Sequence, residues 1–188
     1  MKPSMRSASR IPTLKPPALR PGDTIGIVAP ASNIQRPLLE AGCATLQEMG
    51  YRPSYSETIF DQDLYFAGTL ERRVRELEEM FERDDVHAIV CARGGYGSNY
   101  LLREIDIELV QKHPKIFMGY SDITSLLTWF TDATGLVTFH GPMVTKDFHP
   151  EGFHAASLHN ALSAGSQWEL QFSGEGSVKV LLEVARRG

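Results

Sequence analysis

Short apolar runs alternate with amphipathic stretches along most of the chain. Apolar runs typical of buried strands occupy residues 24–30, 51–55, 87–92, 115–119 and 136–139. Helical patterns are predicted over residues 37–49, 70–81, 123–130 and 153–162, with another helix beginning at 98–103. This alternation predicts an α/β fold, in which an open and mostly parallel sheet carries helices on both faces. In such a sheet, reactive groups gather at the carboxyl ends of the strands.

The strongest helical pattern follows Thr69, a residue type that favours helix N-termini. Its apolar positions share one face and are Val74, Leu77, Met80 and Phe81. The remaining positions are mostly arginine and glutamate, which predicts a solvated outer face.

The composition changes at both ends of the chain. The first twenty residues hold five basic residues, four prolines and no acidic residue. Such a segment can bind nucleic acid, but its shortage of apolar groups favours a solvated, disordered arm, predicted over residues 1–18. The α/β domain is predicted over residues 19–165. Residues 166–188 are predicted to be a linker and the start of an incomplete, more β-rich C-terminal domain.

Composition argues against several classes of partner. The 188-residue chain has a formal net charge of −4 and an isoelectric point near 5.9. Neither nucleic acid nor an anionic membrane would attract it as a whole, and no apolar stretch is long enough to span a bilayer. Neither partner is therefore predicted.

The cysteines and histidines do not form metal-binding patterns. Cys43 and Cys91 are the only two cysteines, and they lack metal-ligand spacing. They are expected to be buried, reduced thiols, which suits the cytoplasm. Three histidines recur every five residues, a spacing that does not share one helical face: His149, His154 and His159. No metal and no cofactor are predicted.

Ser121 lies where a predicted strand passes into a predicted helix. In the run Gly119-Tyr120-Ser121-Asp122, a tight turn would expose the serine hydroxyl beside the unpaired N–H groups that begin the helix. An exposed nucleophile next to donors for an oxyanion suits acyl transfer. A serine followed by aspartate is also an ordinary helix N-cap, so both interpretations stand on the sequence.

Two other strand ends carry candidate chemistry. The glycine-rich loop at residues 93–97 matches neither common phosphate-binding motif. Its N–H groups could instead face a carboxylate or an oxyanion, or the loop could be a structural turn. His140, directly after the predicted strand at residues 136–139, is a candidate general base, although a lone histidine is often a hydrogen-bonded structural residue.

Four segments taken together resemble the LD-carboxypeptidases, serine peptidases related to the microcin C7 self-immunity protein. They occur in the family's order, at residues 19–32, 92–97, 119–124 and 140–143. The resemblance implies a class I glutamine amidotransferase-like (flavodoxin-like) N-terminal domain and a smaller β-rich C-terminal domain. It also implies a cytoplasmic homodimer, without a metal, that cleaves an L–D peptide bond and releases a terminal D-amino acid. Murein tetrapeptides and peptide antibiotics are the substrates it suggests.

The same resemblance assigns roles to individual residues. Ser121 corresponds to the nucleophile, and the N–H groups of Asp122 and Gly95 to the oxyanion donors. The residues implied to border the substrate are Arg93, Gly94 and Tyr96. The family's catalytic glutamate and histidine come from the C-terminal domain, so this chain is expected to be a fragment that lacks them. The alternatives are a non-catalytic peptide-binding module and an enzyme completed by His140.

Overall fold

Five parallel strands form one sheet in the computed structural model, which describes residues 11–149 and 151–163. The strand order is β2-β1-β3-β4-β5. The strands are β1 (Thr24–Val28), β2 (Arg52–Ser54), β3 (Val86–Cys91), β4 (Ile116–Gly119) and β5 (Phe139–His140). Every neighbouring pair is parallel, as the alternating pattern predicted.

Helices cover both faces of this sheet. The α-helices are α1 (Arg36–Glu48), α2 (Leu70–Glu82), α3 (Ile107–Lys112), α4 (Thr124–Thr134), α5 (Val144–Asp147) and α6 (Ala155–Leu162). Three short 3₁₀ helices span Glu57–Phe60, Ser98–Arg103 and Ser121–Ile123. Buried side chains of α1, α5 and α6 belong to one hydrophobic cluster, and those of α2, α3 and α4 to another. The predicted fold class is therefore confirmed.

An aromatic cluster fixes α2 and α4 against the sheet. Phe81 of α2 packs against Phe130 of α4 with ring centroids 5.5 Å apart. Phe117 of β4 packs edge-on against the same Phe130 ring at 5.0 Å. All three side chains are fully buried, and removing one such ring typically costs about 3–5 kcal/mol. This packing holds α4 beneath the end of β4.

The last strand differs from its prediction. Residues 136–139 were expected to form it, but the ladder with β4 contains only Phe139 and His140. Leu136 instead forms an isolated parallel bridge with Leu14. The N–H of Leu14 donates to the Gly135 carbonyl at 2.8 Å. The described part of the N-terminal arm, residues 11–18, thus contacts the domain, whereas disorder was expected there.

Other predictions have mixed outcomes. The helix at Ser98–Arg103 is 3₁₀ rather than α, and α3 and α5 were not predicted. Residues 1–10 and the predicted linker and C-terminal segment, 166–188, lie outside the described residues. No helix in the described part of the chain has both the length and the apolar character needed to cross a membrane.

Both cysteines are buried and free. Burial raises the pKa of the Cys43 thiol to about 11 and also raises the pKa of Cys91. A raised pKa leaves little thiolate at neutral pH, so neither cysteine has the character of a reactive thiol.

Candidate active site

The carboxyl ends of four neighbouring strands meet at one edge of the sheet. Val28 of β1 is level with Cys91 of β3, and Gly119 of β4 is level with His140 of β5. The loops that leave these strands are therefore neighbours, as expected for the active edge of a parallel sheet. These loops contain the candidate catalytic and substrate-binding residues identified in the sequence, apart from His140, which is the last residue of β5.

Ser121 occupies a sharp turn between β4 and α4. Its φ is +60°, in the left-handed region that L-residues rarely adopt, and its side chain is exposed. A Cβ at Gly119 would lie 2.8 Å from Cγ2 of Ile123, so glycine there allows the chain to turn back closely. Tyr120 occupies the N-cap of the 3₁₀ helix and Ile123 that of α4. Ser121 is thus not a helix cap but a strained, exposed serine, the geometry of a nucleophile elbow.

Asp122 joins this turn to the neighbouring loop. Its carboxylate accepts a hydrogen bond from the Ser98 N–H at 2.9 Å, and its carbonyl accepts one from the Ser98 hydroxyl at 2.7 Å. Ser98 directly follows the glycine-rich loop at residues 93–97. These two hydrogen bonds therefore tie the end of that loop to the turn that carries Ser121.

The glycine-rich loop packs directly against the turn. A Cβ on Gly94 would lie 3.3 Å from the Tyr120 carbonyl oxygen, 3.4 Å from Ser121 Cβ and 3.5 Å from the Asp122 nitrogen. Gly95 has a φ of +118°, and a Cβ there would lie only 2.0 Å from Ser32 Oγ. The structure therefore brings the predicted residues Gly94 and Gly95 close to the serine turn.

The two side chains expected to border the substrate are exposed on this loop. Arg93 donates through Nη1 to the Asn33 carbonyl at 3.2 Å, which leaves its other guanidinium nitrogens available to a ligand. The Tyr96 hydroxyl shares a hydrogen bond of 2.9 Å with Tyr100, and this bond raises the pKa of Tyr96. The Tyr96 ring also lies 6.2 Å from that of Tyr65. An aromatic surface thus flanks the glycine-rich loop.

The solvated face predicted for α2 is confirmed at its exposed positions, such as Glu71, Arg75 and Glu79, but three polar positions, Arg72, Arg73 and Glu76, are buried. Arg73 is 3% exposed and donates through Nη1 to the carbonyls of Pro30 at 3.0 Å and Gly97 at 3.1 Å. Burial lowers its pKa. Next to it, Arg72 and Glu76 form a buried ion pair at 2.6 Å. The start of α2 lies under the loops after β1 and β3, whose carbonyls need hydrogen-bond donors, and helical periodicity carries no signal of that requirement.

His140 lies at the strand end, as expected, but does not pair with the serine. Its ring centroid lies 5.9 Å from that of Tyr120, and no hydrogen bond joins it to Ser121 among the described residues. The Tyr120 hydroxyl donates to Asp147 at 3.3 Å, and the other Asp147 oxygen accepts from the Met143 N–H at 2.9 Å. These contacts tie the residue before the serine to the loop that follows β5.

Residues 25–141 match the family model described as the LD-carboxypeptidase N-terminal domain. This chain belongs to the LD-carboxypeptidase family. The matched range includes the serine turn and the glycine-rich loop. The resemblance stated from four sequence segments is therefore confirmed.

Individual members of the LD-carboxypeptidase family show the same relationship. A probable murein peptide carboxypeptidase of Bacillus subtilis is 44% identical over 140 residues, which cover 74% of this chain and 44% of that protein. The microcin C7 self-immunity protein MccF of Escherichia coli is 36% identical over 134 residues, 69% of this chain and 39% of that protein. The chain thus spans less than half the length of these relatives.

The fold comparison agrees with the sequence comparison. The crystal structure of an MccF-like protein from Bacillus anthracis superposes with a TM-score of 0.76 at 30% identity. The superposition covers 80% of this chain and 47% of that protein. An LD-carboxypeptidase N-terminal domain therefore accounts for the sheet and for the loops that meet at its edge.

Proposed function

We propose that this chain carries the nucleophile of a serine carboxypeptidase that cleaves an L–D peptide bond and releases a terminal D-amino acid. The observation that carries the proposal is the exposed Ser121 at φ +60°, with the glycine-rich loop packed against its turn. Membership of the LD-carboxypeptidase family supports the reaction type.

In the proposed reaction, Ser121 Oγ attacks the carbonyl carbon of the scissile bond and transfers its proton to a general base. The N–H groups of Asp122 and Gly95 stabilise the negative oxygen of the tetrahedral intermediate. The intermediate collapses as the base protonates the amine of the departing D-amino acid. Water then hydrolyses the acyl-enzyme and regenerates the serine.

The general base and its carboxylate partner are assigned, through the resemblance, to the family's C-terminal domain. A serine without its base is a weak nucleophile, and loss of a triad member typically lowers the rate by several orders of magnitude. The chain is therefore proposed to contribute the nucleophile half of the active site. A homodimeric, cytoplasmic whole protein forms part of the same proposal.

The proposed substrate is a muropeptide that ends in a D-residue. The name of the Bacillus subtilis relative, a probable murein peptide carboxypeptidase, supports this class, and that of MccF supports a peptide antibiotic as the alternative. Arg93 and Tyr96 are proposed to contact the peptide, because both are exposed on the loop beside the nucleophile. Arg93 supplies positive charge, which suits a substrate that carries carboxylates.

The assay measures D-alanine released when the whole protein, with its C-terminal domain, is incubated with a murein tetrapeptide. Ser121→Ala is expected to lower release by at least 1,000-fold, a scale typical of removing a catalytic serine. Ser56→Ala removes a hydroxyl at the start of the 3₁₀ helix Glu57–Phe60 whose hydrogen bonds are to Thr58 and to neither loop of the candidate site, and should leave release unchanged. Equal release by wild type and Ser121→Ala would show that Ser121 is not the nucleophile.

The second candidate is a peptide-binding module without catalysis. It is favoured by one observation, that no base is hydrogen-bonded to Ser121 among the described residues. Calorimetric binding of the tetrapeptide by the whole protein with no release of D-alanine, even in long incubations, would support it. Release that is lost in His140→Ala would instead assign the base to His140.

A further inference from the structure

Ser32, in the loop after β1, bridges the peptide groups on both sides of Gly95. Its N–H donates to the Gly94 carbonyl at 3.4 Å, and its Oγ accepts from the Tyr96 N–H at 3.3 Å. The side chain is buried, with 7% exposed. Its Oγ also fills the space that a Cβ on Gly95 would need.

These contacts determine which way the Gly95 N–H points. In a trans peptide, the C=O and N–H groups lie on opposite sides of the bond. Because the Gly94 carbonyl faces Ser32, the N–H of Gly95 in the same peptide group points away from Ser32. That N–H is the group assigned above to the oxyanion.

The glycines themselves do not hold this orientation. Rotation of the Gly94–Gly95 peptide group changes ψ of Gly94 and φ of Gly95, and glycine permits a wide range of both angles. Contacts from outside the loop must therefore select one orientation, and Ser32 supplies two of them.

Arg73 joins the loop after β1 to the glycine-rich loop after β3. It binds the carbonyls of Pro30 and Gly97, which lie two residues before Ser32 and two residues after Gly95. Its guanidinium stacks over the Phe66 ring, 4.7 Å from the ring centroid. The buried Arg73 guanidinium thus links the two loops close to Ser32 and Gly95 and keeps these two residues opposite each other.

We propose that Ser32 is a positioning residue that directs the Gly95 N–H into the active site. The proposal rests on the proposed function for its catalytic meaning, because it assigns Gly95 as an oxyanion donor. Its structural content is separate: loss of the Ser32 hydroxyl frees the Tyr96 N–H and leaves only the main-chain bond from Ser32 to the Gly94 carbonyl. At 3.4 Å that bond is longer than an ordinary N–H···O bond and does not by itself hold the peptide groups around Gly95.

Residual dipolar couplings of the ¹⁵N-labelled chain measure this orientation directly. The coupling of the Gly95 N–H is compared with the alignment tensor defined by the amides of β1, β3 and β4. In Ser32→Ala we expect the Gly95 and Tyr96 couplings to shift, beyond experimental error, away from the values that the wild-type N–H directions give with this tensor. Amide exchange at Tyr96 should accelerate by about 10-fold or more, since its acceptor is lost.

The matched control is Ser56→Ala. The Ser56 hydroxyl also accepts from a main-chain N–H, that of Thr58, at 3.3 Å, but it follows β2 and its side-chain hydrogen bonds stay with Thr58. Its removal should leave the Gly95 coupling unchanged. Ser32→Cys keeps a side chain of similar shape with a weaker acceptor and should give an intermediate change, which provides a second variant if Ser32→Ala does not fold.

An unchanged Gly95 coupling in a folded Ser32→Ala would overturn the proposal, and so would an equal change in Ser56→Ala. These measurements need no substrate, so their outcome is independent of hydrolysis. In the D-alanine assay, Ser32→Ala should lower kcat while KM stays unchanged. If the couplings change as expected but Ser121→Ala still releases D-alanine at the wild-type rate, the proposed function fails and the role of Ser32 in the loop stands.

Discussion

Replacing Ser121 by glycine and by alanine tests how much free energy its turn stores. At φ +60°, an L-residue pays about 1–2 kcal/mol relative to the right-handed conformation, whereas glycine pays almost none. The greater entropy of glycine in the unfolded chain, about 0.5–1 kcal/mol, offsets part of this gain. Because the side chain is exposed, little burial is lost. We expect Ser121→Gly to be more stable than Ser121→Ala by about 0.5–1 kcal/mol.

Urea unfolding of the two variants measures this difference, provided that both give the same m-value. The reference pair is Thr128→Gly and Thr128→Ala, at an exposed position inside α4. There the order should reverse, with alanine more stable by about 0.8–1 kcal/mol, because helix interiors favour alanine. The same order at both positions would refute the inference that the Ser121 turn is strained.

Three further predictions concern other parts of the domain. Gly95→Ala should lower the free energy of unfolding in urea more than Gly22→Ala does, by about 1–3 kcal/mol. Both glycines have positive φ, but only a Cβ on Gly95 would meet a neighbouring atom within 4 Å. Equal losses of stability in the two variants would contradict this close approach. Burial lowers the pKa of Lys115 from 10.5 to about 8, so the folded state loses this proton first and its stability should rise between pH 8 and 10. The free energy of unfolding of the wild type should rise relative to that of Lys115→Met by at most about 1.4 kcal/mol per pH unit. If the two proteins show the same dependence of stability on pH, the lowered pKa of Lys115 is excluded. Cys43 and Cys91 should react with a thiol reagent at least 100-fold more slowly in the folded chain than in urea, and fast labelling of both in the native chain would contradict their burial.

The periodicity of the sequence identified most of the fold correctly. Apolar runs at residues 24–30 and 115–119 contain strands whose residues are all buried in the sheet. The predicted cap Thr69 accepts a hydrogen bond from the Arg72 N–H at 3.3 Å, at the predicted start of α2. These features depend on local backbone preferences and on the spacing of apolar residues. Both can be recognised within a short stretch of sequence.

Position at strand ends also located the candidate site. Parallel strands bring their carboxyl ends to one edge, so Ser121 and the glycine-rich loop were expected to be neighbours before any contact was known. The sequence alone left Ser121 as either a cap or a nucleophile. Its φ of +60° differs from the extended backbone of a helix N-cap, so only the nucleophile interpretation is carried into the proposed function.

The tertiary structure alone decided what holds the site together. Ser32 and Tyr96 are 64 positions apart, and Arg73 reaches carbonyls 43 and 24 positions away. The helical pattern placed Arg73 on a solvated face, because periodicity records the apolar stripe of a helix but not the unpaired carbonyls above its first turn. The sequence by itself therefore determined four of the five strands, the longer helices and the edge at which the strands expose reactive groups. Only the folded chain determined the conformation of Ser121 and the direction of the Gly95 N–H, since both depend on contacts between loops that are distant in sequence.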